Sequence, residues 1–309
     1  MGGAVLKRIE KDSLRLGMFI ESLEGVSINS PLASRRFILN SEEDLQALRE
    51  SNLSGAYINT AKGADCSTRK HGIPAGPGSN PDASKVYESI QDAKSRVEAL
   101  FDVASAGGKV TFELASDIVL RITESMEVNP ALLIGLTRLK SKDDATFLHS
   151  IAVSALMFHF ARHLNIDSDT AHLLGVAGLL HDIGKTSIPD EVLAKPGSLT
   201  SEEMDVMREH PSIGAAMLAQ EPRMNGIVLD VCLHHHERPD GKGYPFGVCG
   251  AKLSVHARIA AICDVYDAVT STRPYKKAWT SVEAARWMMG RSGQFDDALL
   301  CRFWISLAL

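Results

Sequence analysis

Residues 72–82 read GIPAGPGSNPD, three glycines and three prolines in eleven residues. Proline has no amide N–H to donate to a helix or a ladder, and an ordered glycine gives up more backbone entropy than any other residue. A helix or a central strand therefore does not run through this segment, which reads as a surface connection. It divides the chain into parts that must bury separate cores: a small α+β module at 1–62, a linker at 63–84 and a helical domain at 85–309. Two domains also suit 309 residues, at roughly 150 residues per domain.

The two sides of the linker are patterned differently. Before it, Met18–Ser22, Phe37–Leu39 and Ala56–Ile58 are short β-type runs, and Ser41 with Asp44 marks a helix start whose apolar side is Leu45 and Leu48. No residue there has an obvious chemical role, so a packing or interaction module is expected. After it, Val86, Ile90, Ala93, Val97 and Leu100 recur at helical spacing. That stripe suits packing within the domain, and equally a short seam between two chains, a homodimer through the 86–103 helix. Ile118, Val119, Ile122 and Met126, then Ala131–Leu139, Phe147–His163 and Ala171–Leu180, continue the helical pattern with no convincing strands. The predicted fold class is mainly α.

Composition excludes several functions. Hydrophobic residues make up 45% and charged residues 23%, ordinary globular values. The net charge of -5 disfavours a protein that coats nucleic acid. Cys66, Cys232, Cys249, Cys263 and Cys301 form no CxxC pair, so neither a disulfide framework nor a cysteine zinc site is indicated. The start, MGGAVLKRIEKDSLRLGMF, has no apolar signal region, and Leu6 stands where a myristoylation motif needs Ser or Thr. No apolar run is long enough to span a bilayer. A soluble, cytoplasmic protein is expected.

Histidine carries the chemistry. Among eleven histidines, His149, His181, His210, His235 and His236 combine with Asp182 and Asp264 in the order H…HD…H…HH…D. Imidazole and carboxylate together bind divalent transition metals. His181-Asp182 ends the apolar run LLGVAGLLHDIGK; neighbours on a helix point about 100° apart, so the two can touch different sides of one ion or bridge two. A carboxylate facing a core, such as Asp264, is costly unless paired or metal-bound. His159, His163 and His172 fall outside this order and read as structural, and the role of His234 in HHH stays open.

The order HDIGK (181–185), His210 before Pro211, HHERPDGKGYP (235–245) and DVYDAVTSTRPYKKA (264–278) resembles the HD-GYP family of HD-domain phosphohydrolases, as does IPDEVLAKPGSLTSEEMDVMREHPSIG (188–214) between them. More weakly, DSLRLGMFIESLEG to INTAKG (12–63) is similar to a small uncharacterised domain that often precedes HD-GYP domains in bacteria. The resemblance implies a helical HD-type domain that hydrolyses cyclic di-GMP to pGpG and GMP. It implies metal ligands at His149, His181, Asp182, His210, His235, His236 and Asp264, with Asp182 bridging two ions. It implies catalytic roles for Asp182 and Lys185 and substrate contacts at Tyr244, Arg273 and Lys276. Some members carry a Glu four residues before the first ligand histidine, which helps hold a third metal. Ala145 stands there in this chain, so two divalent ions are expected, Fe or Mn ahead of Ni or Zn. Other expectations are docking onto diguanylate cyclase domains through the GYP loop, turnover of another cyclic dinucleotide such as cyclic GMP-AMP, and a catalytically weak sensing module.

Overall fold

The computed structural model describes residues 6–24, 37–39, 42–51, 53–59, 81–128, 145–271 and 279–307. Cys66, the expected helix Ala131–Leu139, Asp144, Arg273 and Lys276 lie outside them. Contacts divide the chain into a unit formed by the N-terminal residues up to Pro81 with Trp279–Val282, and one formed by Asp82–Ala278 with Glu283–Leu307.

The N-terminal unit is a four-stranded antiparallel sheet with one helix. Its strands are β1 (Leu6–Glu10), β2 (Phe19–Glu24), β3 (Phe37–Ile38) and β4 (Gly55–Asn59), in the order β1-β4-β2-β3, and α1 spans Glu42–Glu50. The pattern named the positions of β2, β3, α1 and β4 to within two residues. It missed β1, because three of the five residues of LKRIE are charged and only Ile9 is buried. Pairing with β4, from Leu6 against Asn59 to Glu10 against Gly55, supplies what propensity does not. Ile9, Leu14, Met18, Ile20, Leu39, Leu45, Leu48, Leu53, Ala56 and Ile58 form one apolar core.

The second unit is helical: α2 (Pro81–Ser105), α3 (Phe112–Val128), α4 (Ala145–His163), α5 (Ser168–Leu180), α6 (Asp190–Leu193), α7 (Ser201–Met207), α8 (His210–Leu218), α9 (Gly226–His234), α10 (Val255–Thr270), α11 (Ser281–Met289) and α12 (Asp297–Ser306). Helix α2 takes in the last two residues of the Gly/Pro-rich segment, because proline is tolerated in a first turn, where its missing N–H has no partner to lose. Ile90, Ala93, Val97 and Leu100 are buried within the chain. Ser125 of α3 donates to Ser89 of α2, and the Phe101 ring meets Phe147 of α4 edge-on, so this stripe packs on its own domain.

Local signals set the helix starts. Asp167 caps α5 through Thr170 N, Thr200 and Glu203 form a reciprocal capping box on α7, Asn225 caps α9 and Ser254 caps α10. Helices α4 and α5 are buried around most of their circumference and pack closely, so Gly178 has no room for a side chain against the Ser154 backbone. Among the described residues no helix is long and apolar enough to cross a membrane.

Candidate metal centre

Helix ends and inward faces converge on one point. His181 ends α5 and Asp182 follows in a bridge conformation (φ -100°, ψ 8°) before a short 3-10 turn at Ile183–Ser187. His210 opens α8, His235 closes α9 with His236 next, His149 lies in the first turns of α4, and Asp264 lies in the middle of α10. Gly184 makes the approach possible. A Cβ there would strike the His210 carbonyl and the Gly214 backbone, so only glycine lets the HDIGK turn lie against α8.

The seven expected ligands come together in two groups. Asp182, His210, His235 and His236 each offer an atom to one cluster, and His149, His181 and Asp264 to a second, with all atoms of a group within 4.8 Å of one another. Asp182 belongs to both by geometry. Its Oδ1 is 3.3 Å from His210 Nε2 and 3.7 Å from His235 Nε2. Its Oδ2 is 3.4 Å from His181 Nε2 and 3.6 Å from His149 Nε2. Asp264 Oδ1 lies 3.1 Å from His149 Nε2 and its Oδ2 3.9 Å from His236 Nδ1.

Hydrogen bonds at the far side of each ring decide what faces inward. Nδ1–H of His181 donates to Gly178 O at 2.8 Å, that of His210 to Met207 O at 2.7 Å, and that of His235 to Cys232 O at 2.9 Å. A carbonyl only accepts, so these rings carry their proton on Nδ1 and present a bare Nε2 to the centre. The Nε2 atoms of His210 and His235 are 3.3 Å apart, and two lone pairs at that separation repel unless a cation lies between them. Among the described residues, buried His181 Nε2 and Asp182 Oδ1 have no hydrogen-bond partner. The donor set thus fits metal ions.

Electrostatics point the same way. Burial pulls the His181 pKa down to about 4, with Asp182 opposing it. Burial also lowers His210 and His236, so these imidazoles are neutral near pH 7. For Asp182, burial pushes the carboxyl up, but Lys185 and His181 outweigh it and hold it well below the usual carboxylate range. Asp264 is likewise held down, by His149 against burial. Lys185 Nζ donates to Asp182 Oδ2 at 2.5 Å from a partly exposed position.

Two buried carboxylates were missed in the sequence. Asp267 Oδ2 accepts Nδ1–H of His149 at 2.6 Å, which orients that ring. Asp264 and Asp267 are three apart in DVYD, and that helical spacing on one face was the available signal. Glu237, 1% exposed, accepts the Phe246 amide at 2.7 Å and so ties down the loop after HHE. Gly243 sits against the His236–Arg238 backbone with no space for a Cβ, and Tyr244 N donates to His236 O. The Tyr244 ring stacks on His236, centroids 4.7 Å apart and 28° between planes. Three of the other histidines have ordinary partners: His159 bonds Ser306 O, His172 pairs with Ser116, and His234 pairs with Asp230.

The HD domain family matches residues 124–299, more than half of the chain. The chain belongs to the HD-domain family. A domain of unknown function matches residues 6–115, the stretch before it. A cyclic di-GMP phosphodiesterase of Pseudomonas aeruginosa is 43% identical over 97% of this chain and 76% of its own length. A 3'3'-cGAMP-specific phosphodiesterase of Vibrio cholerae is 39% identical over 44% of this chain, which spans 31% of that protein. An HDG"Y"P protein from Bdellovibrio bacteriovorus has the same fold, with TM-score 0.60 and 18% identity over 97% of this chain and 98% of that one. With HDIGK and HHERPDGKGYP on the metal cluster, the chain is an HD-GYP member of the family.

Proposed function

We propose that this HD-GYP domain is a metal-dependent phosphodiesterase that hydrolyses cyclic di-GMP to pGpG and GMP. The observation that carries the reading is Asp182, which turns one oxygen toward His210 and His235 and the other toward His149 and His181. A carboxylate so placed would hold two ions at once. Two divalent ions held there would supply Lewis acidity to the phosphodiester and to the attacking water. Mixed imidazole and carboxylate ligands suit Fe or Mn, with Ni or Zn next, and supply in the cell decides among them. The number two rests on Ala145: α4 begins there, four residues before His149, and a methyl group gives a third ion no ligand.

The chain's own groups do the rest. Outward Nδ1 hydrogen bonds keep three Nε2 lone pairs on the centre. Burial of His181, Asp182, His210 and His235 keeps bulk water out and strengthens every charge interaction inside. Lys185, at the mouth, offers a compact cation to the equatorial phosphate oxygens as charge builds there. Tyr244 walls the substrate, and Arg273 and Lys276 would contact its phosphate or guanine, Arg273 through its two-pronged donor. The same reading puts the work in the cytoplasm; docking onto diguanylate cyclase domains through the GYP loop belongs to the rival reading of a catalytically weak module.

The test is purified, metal-loaded protein incubated with cyclic di-GMP and, in parallel, with 3'3'-cGAMP. Formation of pGpG and then GMP from the first supports the reading. Turnover of cGAMP alone would reassign the substrate, and tight binding without products would leave a sensing module.

A further inference from the structure

We infer that the cavity beside Tyr244, at the junction of α7 and α8, is a base-reading subsite in which the Glu209 carboxylate receives the Watson–Crick edge of a guanine. This rests on the phosphodiesterase reading and adds to it the residue that selects guanine over adenine.

The cavity has a volume of about 440 Å³ and is walled by Asp205, Arg208, Glu209, Ser212, Lys242 and Tyr244 among others, within the range of small-ligand sites. Two cations, two carboxylates, a hydroxyl and an aromatic ring converge there from separate elements, the α7–α8 junction and the loop after Asp240. A second cavity, about 260 Å³, shares Arg208, Lys242 and Tyr244 and reaches His235 and His236. Tyr244 thus stands between the metal ligands and the outer cavity, and its stacking on His236 holds it in place. A cyclic dinucleotide with its phosphate at the ligand cluster has a base to put past that ring.

Within the cavity the two carboxylates are not equivalent. Asp205 pairs with Arg208 at 3.2 Å, and that guanidinium lies 5.7 Å from the Tyr244 ring centre. Glu209 directly precedes the ligand His210, is exposed, and does not use its side chain to cap α8. Guanine presents N1–H and an exocyclic N–H side by side, two donors that match the two oxygens of one carboxylate. Adenine presents an acceptor at N1, which a carboxylate repels. A site built to accept two donors discriminates strongly against a base lacking them. Lys242 and Arg208 remain for phosphate.

The experiment compares kcat/KM for cyclic di-GMP, 3'3'-cGAMP and cyclic di-AMP in metal-loaded wild type and Glu209→Gln. Because Glu209 is exposed and caps nothing, the variant keeps the fold, and a ratio between substrates within one protein cancels any change in metal content. The wild type should prefer cyclic di-GMP to cyclic di-AMP, and the variant should lower that preference by roughly tenfold or more, mainly through KM. An unchanged ratio, or a wild type that does not favour guanine, would overturn the subsite while the phosphodiesterase reading stands. Hydrolysis of none of the three by the wild type would remove that reading and the subsite with it.

Discussion

Each unit of this chain buries at least one carboxylate, and one from each, Glu21 and Asp182, are treated in opposite ways. In the N-terminal sheet, Glu21 is 6% exposed and accepts the Asn59 amide at 2.9 Å, one strand against the next. In the helical unit, Asp182 is 2% exposed, faces four imidazoles, and its Oδ1 has no hydrogen-bond partner among the described residues. A polar group with a dedicated neutral donor contributes to one fold and asks nothing of solution. Convergent lone pairs are different: they raise the energy of the fold unless a cation enters. The contrast identifies the centre without reference to any relative.

The sharpest way to break the contrast is Asp182→Ala. It removes the group common to both ligand clusters and should cut turnover by on the order of a thousandfold or more, since a metal supplies several kcal/mol of transition-state stabilisation. Circular dichroism should show the helices intact. Near wild-type activity in metal-replete buffer would mean that Asp182 is a structural carboxylate like Glu21.

Arg273→Ala addresses substrate rather than metal. Loss of a charge-assisted hydrogen bond to phosphate is worth about 1.5–3 kcal/mol, so kcat/KM should fall roughly ten- to a hundredfold with metal content unchanged. Unaltered kinetics would mean that Arg273 makes no contact with substrate.

Asp267→Asn tests the support behind the centre. It weakens the acceptor for His149 Nδ1–H, and metal affinity or activity should drop about ten- to a hundredfold. No change in either would show that His149 needs no orienting partner. Metal content itself sharpens the picture further: elemental analysis of loaded protein should give about two ions per chain, the number the two clusters and Ala145 support. A third ion beside His149 would mean that another side chain stands in for the missing glutamate.

The smallest effect belongs to the N-terminal unit. Asn59→Ala should cost about 1–3 kcal/mol in urea denaturation, the range for disturbing a buried hydrogen bond, with kcat/KM and metal content as in the wild type. Loss of metal from this variant would collapse the distinction between the two buried carboxylates.

Much of this was legible in the residues. Helical periodicity and the Gly/Pro-rich segment separated the helical part from the β-type part, because burial of one face imposes a repeat that composition alone cannot mimic. The His/Asp cluster was legible because four of its seven members come as adjacent pairs in the long motifs HDIGK and HHERPDGKGYP. Strand β1 was not, since a short edge strand with three charges in five residues looks like loop until its partner is known. Asp267 and Glu237 were not either: a carboxylate that orients a ligand carries no spacing of its own, and its role exists only once the ring it holds is in place.

The sequence by itself determined the class of fold, the identity of the donor atoms and the order in which the chain delivers them. Only the tertiary structure decided that Asp182 divides its two oxygens between two clusters, because that depends on where α4, α8 and α9 end relative to the turn after His181. It likewise decided which nitrogen of His181, His210 and His235 faces inward, through carbonyls at Gly178, Met207 and Cys232. Residue type sets what an atom can bind. The packing of helices set more than a hundred residues apart in the chain, His149 against Asp267, sets what it meets.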